Sequence, residues 1–383
     1  MFLKRDIDCF FKKRMFGGKV LIVYGPRQAG KTTAIEHYLG ENSLTGETLT
    51  FSGDESADRE VLADAPVEKL RLLIGRKRIV FIDEAHKIPS IGVVLKRFSD
   101  KIKDVQVIAS GSSSEELAEK TEEPLTGRKF ENTLLPLSFS ELASVTSPLE
   151  EMRQLERRMI YGSYPDVVTH PGDELERLRE IGRSYLYKDI LRHDEIRKPE
   201  LLDRLLRALA FQIGQEVVMS ELAGTLGYDV KTIVKYINIL EKAFIVFRLG
   251  SYARNLRNEL KKSRKIYFRD CGIRNYILGD WRPLDVRGDD ETGRLWENYF
   301  IAERVQRTLL SAPDARTFFW RTTQQQEGDY LEECGAELQA FEVKWNPKKA
   351  AKSLTRTFTS AYPAAVCHGV SPKNYHEYLM SQQ

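Results

Sequence analysis

Apolar residues in the first third of the chain come in short β-like runs: Lys19–Tyr24 (KVLIVY), Thr48–Ser52 (TLTFS), Arg78–Ile82 (RIVFI) and Val105–Ser110 (VQVIAS). They are rich in Val, Ile and Phe and are separated by stretches with helical spacing. Such continuous apolar runs alternating with helices predict a parallel sheet covered on both faces. From about 148 to 280 the period changes. Leu175–Leu191, Glu200–Ile213 and Thr232–Phe244 carry apolar residues every three to four positions, which predicts helices. After about 284 the order is mixed: helix Glu291–Leu310, β-like runs Thr317–Thr322, Gly328–Glu332 and Glu337–Trp345, helix Lys348–Ser360 and strand Ala364–Gly369.

The patterning divides the 383 residues into three modules, 1–195, 196–282 and 283–383, in line with roughly 150 residues per domain. With 42% hydrophobic and 30% charged residues the chain can bury real cores. No run approaches the roughly 18 apolar residues of a membrane-spanning helix. The start, MFLKRDIDCFFKK, has charges where a signal peptide needs an apolar core. Cysteines at 9, 271, 334 and 367 are too scattered for a zinc motif and too few for a disulfide scaffold. A cytoplasmic protein with no membrane partner is the expectation. The net charge of +3 is too small to argue for nucleic acid by itself.

The sharpest chemical signal is Gly25-Pro-Arg-Gln-Ala-Gly30-Lys31-Thr32, which fits G-x-x-x-x-G-K-[ST] at every fixed position. It follows the run KVLIVY and opens the helical segment TTAIEHYL. Glycines let the backbone curl so that several N–H groups face one anion, and the helix N-terminus adds partial positive charge. Gly25, Pro26, Arg27, Gln28, Ala29, Gly30, Lys31, Thr32 and Thr33 are therefore the candidate nucleotide-binding set. Lys31 is expected to bridge the β- and γ-phosphates of ATP, and Thr32 to ligate Mg²⁺. Ile79–Glu84 (IVFIDE) is an apolar strand ending in two acids, the expected second half of the site. Asp83 would hold the Mg²⁺ shell and Glu84 would orient and deprotonate the attacking water. The strand VQVIAS ends at Ser110, the first candidate to contact the γ-phosphate or that water, with Ser112 second; a Ser-rich cap on a helix Glu115–Lys120 is the plainer reading. Arg128 follows in a loop, where it acts as an arginine finger in its own or a neighbouring subunit, or is a surface residue.

The motifs GPRQAGKTT, FIDEAHKIP, SGSSS, LTGR and LLPLSFSEL, in this order, resemble a group of AAA-type ATP-binding proteins of bacteria and archaea. YGSYPDVV, YLYKDI and KIYFRDCGIRNYI extend the resemblance over most of the chain. It implies a P-loop core of the additional-strand, catalytic-glutamate type, related to AAA+ and STAND ATPases, and a C-terminal domain of unknown function.

Ser220–Gly227 followed by Asp229–Leu240 reads as helix, glycine turn, helix, with Ser220 and Asp229 as N-caps. Leu222, Ala223 and Leu226 would face Ile233, Ile237 and Leu240, the spacing of a helix-turn-helix. The runs AFIVFRL and KIYFR would form a wing. Lys231, Thr232, Lys235 and Tyr236 are expected on the exposed face of the second helix. Arg254, Arg257, Lys261, Lys262, Arg264, Lys265 and Arg269 are opposed only by Glu259 between 254 and 269. This makes Lys231, Lys235, Lys261, Lys262, Arg264 and Lys265 candidate DNA contacts. A lid or protein-contact module with a solvated basic face is the alternative.

In the last module Glu297 falls in the first helix, Asp329 begins the second run, and Glu342 and Lys344, two apart on a strand, share one face. The set resembles the PD-(D/E)XK nuclease fold. The resemblance implies that Glu297, Asp329 and Glu342 hold a divalent cation while Lys344 orients water or neutralises an oxyanion. Gly328 departs from the family pattern and suggests a looser strand. The expected fold class is α/β: a P-loop NTPase parallel sheet, a helical and winged-helix region, and a C-terminal α/β nuclease-like domain. The expected activity is Mg-dependent ATP hydrolysis by a homo-oligomer acting on DNA. A STAND-like switch with a protein partner and an ATP-gated nuclease are the alternatives.

Overall fold

The computed structural model describes residues 3–112, 125–184, 196, 198–252, 264–322, 324, 326–350 and 356–380. The serine-rich segment from Ser113, the expected helix Glu115–Lys120, YLYKDI, Lys261 and Lys262 lie outside the described residues. The chain forms two compact units, Lys4–Pro136 and one built on Leu137–Gln383.

The first unit is a five-stranded, all-parallel sheet in the order β2-β3-β4-β1-β5. Its strands are β1 (Val20–Tyr24), β2 (Thr48–Ser52), β3 (Ile79–Asp83), β4 (Gln106–Gly111) and β5 (Lys129–Thr133). Every residue of β1 and β4 is buried, as both-face coverage by helices requires. Leu21, Val23, Phe81 and Ile108 pack with Ile35, Tyr38 and Leu39 of helix Lys31–Glu41. Strand β4 is inserted between β1 and β3, the additional-strand arrangement the family resemblance implies. Registry of Tyr24 with Gly111, Ile82 with Ala109 and Ser52 with Asp83 aligns the carboxyl ends of these strands at one edge. In open α/β sheets ligands bind at that edge.

The second unit carries a seven-stranded mixed sheet, order β12-β11-β10-β9-β7-β8-β6. Its strands are β6 (Glu216–Val217), β7 (Val246–Ser251), β8 (Arg264–Phe268), β9 (Arg316–Arg321), β10 (Glu327–Cys334), β11 (Glu337–Val343) and β12 (Val366–Val370). The expected wing, β7 and β8, is antiparallel, and β7 also pairs in parallel with β9 through Gly250–Phe318 and Ser251–Phe319. Strands β6–β8 and β9–β12 thus share one continuous sheet.

Helices Met219–Leu226 and Val230–Lys242 form the expected helix–turn–helix, with Gly227 left-handed between them. Asp229 caps the second by accepting from Thr232 N at 2.9 Å. Ser220 does not cap the first: the helix begins at Met219, with Val218 before it. Two motifs from the family resemblance meet here. Asp270 of FRDC caps helix Cys271–Leu278 and also accepts from Ser163 N of YGSYP at 2.7 Å. Burial pushes its pKa up to about 6, against the pull of those N–H donors. Ser138 and Glu141 of LPLSFSEL form a capping box on helix Phe139–Val145. Among the described residues no helix is long and apolar enough to cross a membrane.

Candidate functional site: a phosphate-binding loop and a buried charge cluster

The loop leaving β1 turns over the end of β5. A Cβ at Gly25 would lie 1.9 Å from the Leu134 carbonyl oxygen, so no other residue fits without moving backbone. Lys31 is buried, and its Nζ donates to the Gly25 and Pro26 carbonyls, each at 3.0 Å. The ammonium group is thus held at the mouth of its own loop. Pro26 and Ala29 are buried, Arg27 is half-buried, and Gln28 and Thr33 are exposed. Thr32, on the first turn of the helix, donates to both oxygens of Asp83 at 3.0 and 2.9 Å. A threonine hydroxyl beside a carboxylate is the paired hard-oxygen donor set that fits a Mg²⁺ sharing a nucleotide's phosphates.

The acidic strand end is braced on both sides. Ser110, fully buried on β4, donates to Asp83 and accepts from Glu84 N at 3.0 Å. Its hydroxyl therefore links the Asp83 carboxylate to the Glu84 main chain; contact with the γ-phosphate or the attacking water is the expectation from sequence. Gly53 N donates to the Asp83 carbonyl at 2.8 Å, and a Cβ there would lie 2.2 Å from the Glu84 carbonyl oxygen. Glu84 itself has φ +46°, a strained value for a non-glycine residue and one met at functional sites. Its carboxylate lies 3.6 Å from His86 Nδ1 and 3.8 Å from Lys87 Nζ. His86 Nε2 lies 3.2 Å from Ser112 Oγ. His86 stands two residues after the acid pair, the one sequence signal that marks it.

Arg128 is placed elsewhere. It precedes β5, beside Val20, and its Nε donates to Asp100 at 2.7 Å. That is the amino edge of the parallel sheet, a five-residue strand away from the loop, or roughly 16 Å at ~3.3 Å per residue. Arg128 does not serve as a finger in its own site. Arg5, which no sequence motif marks, is buried and donates to Ala29 O at 2.7 Å and Leu135 O at 2.6 Å.

In the second unit Asp329, Glu342 and Lys344 meet. Lys344 Nζ lies 2.7 Å from Asp329 and 2.9 Å from Glu342, and Asp329 also accepts from Val343 N at 2.7 Å. Strand β10 shifts register between Gly328 and Leu331, so the strand is irregular where Gly328 suggested it. Glu297 is held instead by β8: Lys265 Nζ lies 3.1 Å away and Tyr267 OH donates at 2.6 Å. Lys265 also pairs with Glu327. Burial works against the charge of Lys265, yet Glu297, Asp329 and Glu327 hold its pKa above the ordinary lysine value. Burial and the Asp329 charge push the Glu342 carboxyl up to about 7.

Two expectations are corrected by this cluster. Lys265 is not an exposed DNA contact: only 2% of it is accessible, because alternation along β8 turns it to the acidic face. The acids Glu297, Asp329 and Glu342 are not assembled as one ligand set. The two lysines are interleaved with them, and among the described residues no three His, Cys, Asp or Glu side chains form a metal-holding group. On the helix–turn–helix, Lys231 and Lys235 are exposed, and Arg264 on β8 is half-buried. Tyr236 is buried, contrary to expectation, its hydroxyl accepting from Lys198 N at 3.1 Å. It lies on the stripe Ile233, Tyr236, Ile237, Leu240 that faces the core.

Residues 17–143 match the family model described as an AAA domain, and residues 152–282 and 292–378 match two domains of unknown function. An uncharacterized protein of Mycobacterium tuberculosis is 27% identical over 361 residues, 94% of this chain and 77% of that protein. One of Methanocaldococcus jannaschii is 20% identical over 351 residues, 86% and 74% of the two chains. Among solved structures, the Aeropyrum pernix ORC1 protein in complex with DNA aligns with TM-score 0.33 and 13% identity, over 73% of this chain and 93% of that one. AMPPCP-bound DnaA from Aquifex aeolicus aligns with TM-score 0.29 and 13% identity, over 62% and 86%.

Proposed function

We propose that the protein is an ATP hydrolase whose turnover drives an action on DNA. The observation that carries the reading is the convergence of Lys31, Thr32, Asp83 and Glu84 at the carboxyl edge of one parallel sheet, within the segment that matches the AAA domain. In this reading the loop N–H groups and Lys31 bind the β- and γ-phosphates. Thr32 and Asp83 hold Mg²⁺, which when bound neutralises developing phosphate charge. Glu84 takes the proton of the attacking water, and Ser110 keeps Asp83 and Glu84 at fixed spacing. His86 and Lys87 hold the Glu84 carboxylate at rest.

DNA is the proposed partner because the second helix of the helix–turn–helix carries Lys231 and Lys235 outward. Arg128, at the far edge of the sheet, belongs in this reading to a neighbouring copy's site, which makes the working form a homo-oligomer. The three-module division at 195 and 282 is kept as part of the proposal. ATP turnover by the purified protein with and without linear and four-way-junction DNA, beside Lys31→Ala, tests it. Stimulation by DNA is expected. Turnover indifferent to both DNAs removes DNA as the partner and favours a nucleotide-controlled switch acting on another protein.

A further inference from the structure

Arg5 lies 20 residues before the phosphate-binding loop in sequence, yet it is 4% exposed and reaches that loop. Its Nη1 donates to the Ala29 carbonyl at 2.7 Å and its Nη2 to the Leu135 carbonyl at 2.6 Å. One rigid, always-charged fork thus spans the loop and the segment leaving β5. The same two segments touch a second time. The Leu134 carbonyl fills the space a Gly25 side chain would need, and Leu134 N donates to the Tyr24 carbonyl at 2.7 Å. Pro136 then ends the first unit.

We infer that Arg5 is a positioning residue for the nucleotide, tying the phosphate-binding loop to the exit segment Leu134–Pro136. The inference rests on the ATP-binding reading above. A phosphate-binding loop turns N–H groups toward its anion and therefore leaves carbonyl oxygens facing outward. The Ala29 carbonyl and the Gly30 N–H belong to one peptide group. A guanidinium on the oxygen polarises that group and makes the N–H a stronger donor, as in any hydrogen-bonded chain. It also adds a buried positive charge behind the loop. Any shift of the loop on binding phosphate is passed through the fork to Leu135, the last residue but one of the unit.

The test uses the full chain as wild type, Arg5→Ala, Arg5→Lys and Lys31→Ala. It reads the Kd of a fluorescent ADP analogue, and amide exchange of the peptide spanning 134–137 with and without ADP. Arg5→Ala is expected to weaken ADP by roughly 10- to 100-fold, as for residues that orient ligand-holding groups. It is also expected to abolish the ADP-dependent change in exchange at 134–137. A structural role alone would raise exchange equally with and without ADP. Arg5→Lys keeps the charge but reaches one carbonyl, so intermediate affinity is expected; it also serves if Arg5→Ala does not fold. Wild-type affinity and a wild-type exchange response in either folded variant overturn the inference. Failure of wild type to bind ADP, or binding by Lys31→Ala equal to wild type, overturns the ATP-site reading instead.

Discussion

Replacing Lys265 separates the two accounts of that residue. As a solvated DNA contact it would be worth little to the fold, within about 0.5 kcal/mol on substitution. In the structure its side chain is 3% exposed and sits between Glu297 and Glu327, whose side chains are 13% and 29% exposed. Removing one partner of a buried ion pair costs about 3–5 kcal/mol, because the remaining charge is left uncompensated. Lys265→Met, which keeps most of the side-chain volume, should therefore lower the melting temperature of the second unit by roughly 6–20 °C, at about 2–4 °C per kcal/mol for a unit of this size. The sign with pH follows from the carboxylates left behind. Burial already raises the Glu297 pKa, with Lys265 opposing the rise, and losing the lysine raises it further. A raised carboxyl pKa destabilises above its unfolded value and is relieved as pH falls. The deficit should thus be largest at pH 8 and shrink toward pH 5. Differential scanning fluorimetry across that range is the assay. A variant melting within 1–2 °C of wild type at pH 8 (about 0.5 kcal/mol by the same scaling) would refute the buried-pair reasoning.

Three further outcomes are expected. Ser110→Ala removes the hydroxyl between Asp83 and Glu84 N, so steady-state turnover should fall roughly 10- to 100-fold while ADP affinity changes little; unchanged turnover sinks the spacing role. Burial, opposed by the Phe139 N–H, pushes Glu303 up to about 8, so the native state binds the extra proton between about pH 4.5 and 8 and loses stability as pH rises through that window; Glu303→Gln should flatten this fall in melting temperature, and an unchanged slope contradicts it. Lys231→Ala with Lys235→Ala should weaken DNA binding on all sequences and reduce the salt slope by about two, measured by fluorescence anisotropy against salt; an unchanged slope removes the helix–turn–helix as the contact.

The parts legible in the sequence are those whose chemistry is local. Strand, glycines, lysine and helix follow one another within fourteen residues at Lys19–Thr32, so period and spacing suffice. The same holds for β3 and its two acids. Strand β5 was missed because Lys129–Thr133 (KFENT) is an edge strand with charged residues and little apolar run. Tyr236 was misplaced although its spacing from Ile233 put it on the buried stripe. Lys265 was counted with its basic neighbours because a charge count treats every lysine as solvated. Its partners lie 32 and 62 residues on, and only the pairing of strands brings them to it. Arg5 is one basic residue in a mixed-charge start, and a contact to Leu135 leaves no local signal.

In the proposed ATP site Glu84 is the base. Single-turnover hydrolysis of ATP bound to Glu84→Gln tests it most directly. The variant should bind ATP as wild type does and hydrolyse it about 10²- to 10⁴-fold more slowly. Wild-type hydrolysis in that variant would contradict it.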